Sequence, residues 1–272
     1  MSETTVSTKI PKQSPLQIQR AVVFATFIRE LNTRFGRYRL GYFWAIMQPL
    51  SLVIILSTVR TLFGRSDMAG LAFPVFFASG ILTYQLFNKI AVSALNAVES
   101  NMGLFNYQRV KPIDIVFTRS MLELLITIGT SLVFFIGLHM IGFTFHWNDT
   151  LLVVALLSCL FTMSMGIGLM FCVLGPIWQE SKVVVPILIR PLFFLSGIFF
   201  SVSMLPESVR PIALINPLLH FIELMRGAMF QEFEPVGASF FYIFGWSIGS
   251  LLIGLWIYRV NRIKIVTSGT IR

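Results

Sequence analysis

Side chains able to do chemistry are few in this sequence, and each stands out against an apolar background. Gln85, Lys89, Ser93, Asn96 and Ser100 follow one another at intervals of three or four residues, a spacing that aligns them on one helix face. Arg190 sits in VVVPILIRPLFF between Pro186 and Pro191, about eight residues or roughly 12 Å beyond Lys182 and too deep for easy snorkelling. The flanking prolines predict an irregular backbone there. Two readings fit these cations. Either Lys89 and Arg190 line a conduit and attract an anionic substrate, or Arg190 pairs with an acid such as Glu123 while the Ser and Asn groups join helices. Arg119 and Glu123, four apart, are spaced to pair with each other or with a neighbour.

Covalent chemistry has no machinery here. His139, His146 and His220 are scattered, and Cys159 and Cys172 lack metal-ligand spacing and read as small apolar residues. No lysine follows a glycine anywhere in the chain, so the Gly-Lys pair of a phosphate-cradling Walker loop is absent. No catalytic residue, metal site or cofactor is expected within the chain.

The elements that must position the polar groups follow from composition. Of the 272 residues, 56% are hydrophobic and 12% charged, about half the charge of a soluble domain. The apolar residues fall in blocks of about twenty, the length a helix needs to cross a hydrocarbon core of roughly 30 Å. An all-α integral membrane protein is predicted, with six transmembrane helices at about 40–63, 72–93, 113–142, 150–174, 183–201 and 236–258.

The net charge of +9 is spent on topology. Seven Lys/Arg precede the first span; Arg109, Lys111 and Lys182 lie in the loops of the same side, and Arg259, Arg262, Lys264 and Arg272 follow the last span. The opposite side has only Arg65, Arg210 and Arg226 in its loops. By the positive-inside rule both termini are cytoplasmic, and no basic surface is left over for nucleic acid.

Residues 1–16 read as a disordered tail, and residues 17–35 as an amphipathic interfacial helix with Ile18, Ala21, Val22, Ala25, Ile28, Leu31 and Phe35 at helical spacing. Arg34, Arg37 and Arg39 can then meet lipid phosphates, while Tyr38, Tyr42 and Trp44 form an aromatic belt at the first span. Asp114, after Pro112, is placed to cap the third span. Gly245 and Gly249 make a GxxxG in the last, consistent with close helix packing. Residues 203–235, broken by Pro206, Pro211 and Pro217, are too polar to cross. They predict short re-entrant helices, one of them amphipathic with Phe221, Leu224, Met225 and Phe230 against His220, Glu223 and Arg226.

RELNTRFGRYRLGYFWAIMQPL at 29–50, LFNYQRVKPIDIVFTRSMLE at 104–123 and PESVRPIALINPLLHFIELMRGAMF at 206–230, set among six spans, resemble the permease subunits of ABC-2 type exporters, in the branch that exports capsular polysaccharide. The resemblance implies a transmembrane domain over residues 36–258, a cytoplasmic tail over 259–272, and a separate ATPase dimer that carries the ATP and Mg. It places the ATPase contacts in two loops. The first, residues 99–114, offers Leu104, Phe105 and Tyr107 as apolar anchors beside Arg109 and Lys111, the lesser alternative being that these aromatics sit at the lipid headgroups. The second, residues 175–182, offers Trp178, Gln179 and Glu180.

The resemblance further implies a second copy of the chain, with a path for lipid-linked polysaccharide framed by the first and fifth spans. Tyr42, Phe43, Trp44, Phe193 and Phe194 could stack on sugars, with Gln85, Lys89, Ser93 and Arg190 as the polar lining. A periplasmic adaptor, an outer-membrane export protein and membrane lipids complete the implied partners. O-antigen, a teichoic-type polymer or a small lipophilic compound are alternative cargoes. A membrane-embedded glycosyl or lipid transferase would need an acid cluster, and only Glu123 lies inside a span.

Overall fold

The computed structural model describes residues 14–35, 41–62, 67–105 and 110–270. Arg37, Tyr38, Arg39, Tyr107, Arg109 and most of the expected N-terminal tail lie outside the described residues, as do the side chains of Arg34 and Tyr42.

Helices make up most of the described chain. They are α1 (Pro15–Phe35), α2 (Gly41–Leu62), α3 (Phe73–Ala94), α4 (Met102–Phe105), α5 (Pro112–Ile141), α6 (Thr150–Ile177), α7 (Ser181–Leu195), α8 (Arg210–Ala213), α9 (Pro217–Met229) and α10 (Phe240–Thr270). A two-stranded hairpin, β1 (Asp67–Met68) and β2 (Leu71–Ala72), precedes α3. Local chemistry sets several boundaries. Asp149 caps α6 by accepting from the backbone of Leu151 and Leu152 at 2.9 and 3.0 Å, satisfying donors the helix start leaves open. Asp114 accepts from Lys111 N at 3.0 Å at the head of α5, and Asn216 from Leu218 N at 3.0 Å at the head of α9.

Among the described residues α3, α5, α6 and α10 are the helices long and apolar enough to cross a membrane. α2 carries a shorter apolar stretch, Met47–Arg60. α7 has 15 residues, about 22 Å of rise. It runs as continuous helix through Pro186 and Pro191, so the irregular backbone expected around Arg190 is not found. A proline withdraws one hydrogen bond but fixes a helix-compatible φ, and a short helix tolerates that. α10 is longer than expected and carries the helix past residue 258 to Thr270.

α3 is the hub. Its apolar window is 78% buried, against 22% for α5 and for α10, so α3 is surrounded by protein while the other two present wide faces to lipid. α10 packs most extensively on α6, and small residues make that possible. Ser247 Oγ donates to Cys159 O at 2.8 Å and Ser250 Oγ to Met163 O at 3.4 Å. One turn further along, Gly254 meets Gly166: a Cβ on Gly254 would stand 2.3 Å from Gly166 O. The expected Gly245/Gly249 pair does not serve this contact, since neither has any atom within 4 Å of where its Cβ would be. It lies on the outer side of α10.

α1 packs along α5 and turns some of its polar groups to that contact. Gln19, Thr26 and Glu30, spaced seven and four apart, turn toward α5 and its neighbours. Ala21, Phe24, Ala25 and Ile28 are exposed instead. Gln17, Arg20 and Asn32 remain exposed beside these apolar residues, so only part of the polar set of α1 is turned inward.

Candidate functional site

Where α1 meets the α3–α5 loop, a set of polar contacts ties four segments together. Arg29 Nη1 donates to Asn101 Oδ1 at 2.8 Å. The Arg119 guanidinium stands 2.8 Å from the Glu30 carboxylate and also donates to Ser93 O at 3.2 Å and Ser100 Oγ at 2.9 Å. Thr26 and Thr118 share a hydrogen bond of 3.1 Å, and Gln19 donates to Asp114. Lys182, at the head of α7, pairs with Glu99 in the α3–α5 loop. Arg119 thus pairs with α1 rather than with Glu123, four residues along. Glu123 is 2% exposed and lines a cavity of about 310 Å³ with Glu30, Thr33, Ser93 and Arg119. Of these contacts only the Thr26–Thr118 bond is fully buried; the others are part-buried or exposed.

The expected docking anchors divide. Leu104 and Phe105 on α4 are half-buried and pack on the chain's own cluster of Ala97, Val98, Ile115, Cys172 and Tyr258. In the turn between α6 and α7, Trp178 is 44% exposed, and Gln179 and Glu180 are also exposed. Trp178 therefore stands as an apolar knob beside the Lys182–Glu99 pair.

The polar stripe is where the sequence placed it. Gln85, Lys89 and Ser93 form the half-buried edge of the otherwise enclosed α3, and Asn96 and Ser100 continue it into solvent. α7 is held to α3 by Tyr84, whose hydroxyl donates to Ile189 O at 3.1 Å and whose ring meets Phe193 edge-on at 5.3 Å. The opposite side of α7 is open: Arg190 is exposed, with Ile187, Leu188 and Phe194 beside it. The structure does not bring Arg190 to Glu123, which is buried on α5 among the groups named above. α2 likewise leaves Phe43, Trp44, Ile54, Ile55 and Val59 exposed. Arg190, Phe194 and the Phe43–Trp44 pair thus lie on exposed faces of α7 and α2, while Phe193 is half-buried against Tyr84.

One polar set, His220, Glu223 and Arg226, is placed differently from the sequence reading: it is buried, not at a surface. Arg226, counted there among loop cations, is on α9 and fully buried. Its guanidinium lies 3.5 Å from the centre of the Phe76 ring and donates to Phe76 O at 3.1 Å, Ile198 O at 3.3 Å and Ser79 Oγ at 3.3 Å. Glu223 accepts from Val202 N at 2.8 Å and is fully buried on the same helix, three residues before Arg226. His220 accepts from Ser239 N at 3.0 Å through Nδ1 and meets Leu214 O at 2.7 Å through Nε2, a pairing that sets the Nε2–H tautomer. α9 is thus buried on nearly all sides, not amphipathic at a surface. The three-residue spacing of His220, Glu223 and Arg226 was the available signal. Nearby, in the loops outside the spanning helices, His146 Nδ1 lies 2.6 Å from Glu232. Burial works against the Glu232 carboxylate, but hydrogen bonds from His146 outweigh it and hold the carboxyl below its ordinary range.

Comparison with known proteins bears on this arrangement. The profile of the ABC-2 type transporter family matches residues 21–230. The chain is 36% identical over 256 residues to the polysialic acid transport protein KpsM of Escherichia coli, covering 94% of this chain and 99% of that protein. It is 27% identical to the capsule polysaccharide export inner-membrane protein CtrC of Neisseria meningitidis, over 88% of this chain and 91% of that protein. It is also 27% identical to the capsule polysaccharide export inner-membrane protein BexB of Haemophilus influenzae, with 90% and 92% covered.

Proposed function

As the chain belongs to the ABC-2 type transporter family, we propose that it is the permease subunit of an exporter moving lipid-linked capsular polysaccharide across the bacterial inner membrane. The observation that carries this reading is the near-complete overlap with relatives named for polysialic acid transport and capsule export. Energy comes from a separate ATPase, in keeping with a sequence that has no Gly-Lys pair.

In this reading α2 and α7 join α3, α5, α6 and α10 to make six spans, with both termini cytoplasmic and α8 and α9 dipping back from the outer side. The uncovered faces of α2 and α7 face those of a second copy and frame the path. Phe43, Trp44, Phe193 and Phe194 stack on sugar rings, and Arg190 with the Lys89 stripe attracts acidic sugars or phosphate. The ATPase dimer bears on the Trp178 turn and on the loop holding α4. The Glu99–Lys182 pair makes the two loops move together, and Arg29 and Glu30 pass that movement to α1. A periplasmic adaptor and an outer-membrane protein receive the polymer.

The test is a deletion strain complemented with this chain, alone and with its cognate ATPase. Surface polysaccharide is restored only with both, the two copurify, and the isolated chain hydrolyses no ATP. Hydrolysis by the isolated chain, or full export without the ATPase, overturns the reading.

A further inference from the structure

Between α3, α5, α6 and α9 the structure holds a half-enclosed slot of about 490 Å³, and we propose that it seats one acyl chain of a membrane phospholipid. Its walls are almost entirely carbon, supplied by residues such as Leu82, Phe135, Leu157 and Met225. The hydroxyls of Ser79 and Thr83, which also line it, are spent on their own helix, donating to Phe76 O and Ser79 O at 2.8 Å each. They therefore add no polar demand of their own to the slot. An apolar cavity of this kind stays dry and takes apolar ligands.

Shape and position select the occupant. The α5 lining runs from Thr127 to Met140, about 20 Å along the helix axis, somewhat more than the roughly 15 Å of one leaflet's hydrocarbon. The slot therefore lies along a spanning helix in the direction of a single lipid chain and is long enough to hold one. Its outer lip is Ile128, Leu132 and Ile136, at 37%, 55% and 59% exposure, so it opens sideways to the bilayer. At the α5–α6 loop end it finishes beside His139 and Trp147. Trp147 is 46% exposed, the amphipathic type of residue that marks headgroup depth. A chain in the slot would pack over Ser79, the residue that also accepts from Arg226, and so would brace the buried cation's surroundings. The inference needs only that the chain lies in a membrane, and does not depend on the cargo.

The complete chain, reconstituted in phosphatidylethanolamine–phosphatidylglycerol vesicles with a photoreactive diazirine on the acyl chain, should be labelled on slot residues such as Ser131 and Phe135 several-fold more than on the exposed α10 residues Leu252 and Trp256. Ser131→Phe, which fills the slot, should remove the excess without altering labelling of α10. Leu157→Phe, entering from the opposite wall, is the second variant if the first fails to fold. Equal labelling of α5 and α10 in the wild-type chain would overturn the proposal. So would crosslinks from slot residues to a second copy, or label retained in slot-filled variants.

Discussion

Arg226 carries more contacts than any other cation described, and it illustrates how a charge is kept inside an apolar body. Three carbonyl or hydroxyl acceptors and the Phe76 face surround its guanidinium. Space for it comes from Gly80, where a Cβ would lie 2.7 Å from Arg226 Nη2. Arg226→Met should therefore lower thermal stability in detergent and membrane abundance, since it strands the buried Phe76 and Ile198 carbonyls, and an unsatisfied buried polar group costs about 1 to 3 kcal/mol. Arg226→Lys should recover little, because an ammonium cannot reproduce the flat fork or the ring stacking. Unchanged melting of Arg226→Met would show that the network does not contribute as its burial implies. None of this was legible in the sequence beyond the three-residue spacing. Pro206, Pro211 and Pro217 mark an interrupted segment, and interruption reads as a loop until tertiary packing encloses it.

Helix positions, by contrast, were readable, because each depends on a local run of apolar residues and nearby caps. α5 and α3 fall within one residue of the expected spans. Which surfaces meet was not readable, because helical spacing reveals a face but not its partner. Gly245 and Gly249 satisfy the small-residue pattern yet face open space, whereas Gly166 and Gly254, further apart in sequence and on different helices, make the close approach. α1 shows the same limit, some of its polar residues finding partners on α5. A paired substitution separates pattern from contact. Gly166→Val would drive a side chain into the Ser250–Leu251 backbone, 2.4 to 2.6 Å from its Cβ, and should cost at least the roughly 1 to 3 kcal/mol typical of overpacking. Gly249→Val should leave the melting temperature of the chain in detergent unchanged. Equal sensitivity of the two would mean that α10 packs by its other face.

At the scale of the whole molecule, covered and uncovered faces are divided unevenly. α3 is enclosed, while α2 and α7 are left with open faces and hold Trp44, Phe194 and Arg190 there. A guanidinium turned to hydrocarbon would cost about 2.5 to 3.5 kcal/mol on insertion, so an exposed Arg190 fits a neighbouring copy or hydrated path better than lipid. Because it has no buried acid to strand, Arg190→Gln should insert and melt as the wild type does, while surface polysaccharide falls several-fold through lost attraction for anionic cargo. Arg190→Lys, which keeps the charge, should retain most export. Glu123→Gln should not interact with either change, since Glu123 lies on α5 beside Arg119 and Glu30. Membrane abundance, detergent melting and surface polysaccharide, measured for the three single variants and the Arg190→Gln/Glu123→Gln double, decide the matter. Poor abundance of Arg190→Gln with rescue in the double would restore the ion-pair reading. Normal abundance with normal export would remove Arg190 from the path, whereas normal abundance with export lost in Gln and kept in Lys assigns the open face of α7 to the cargo.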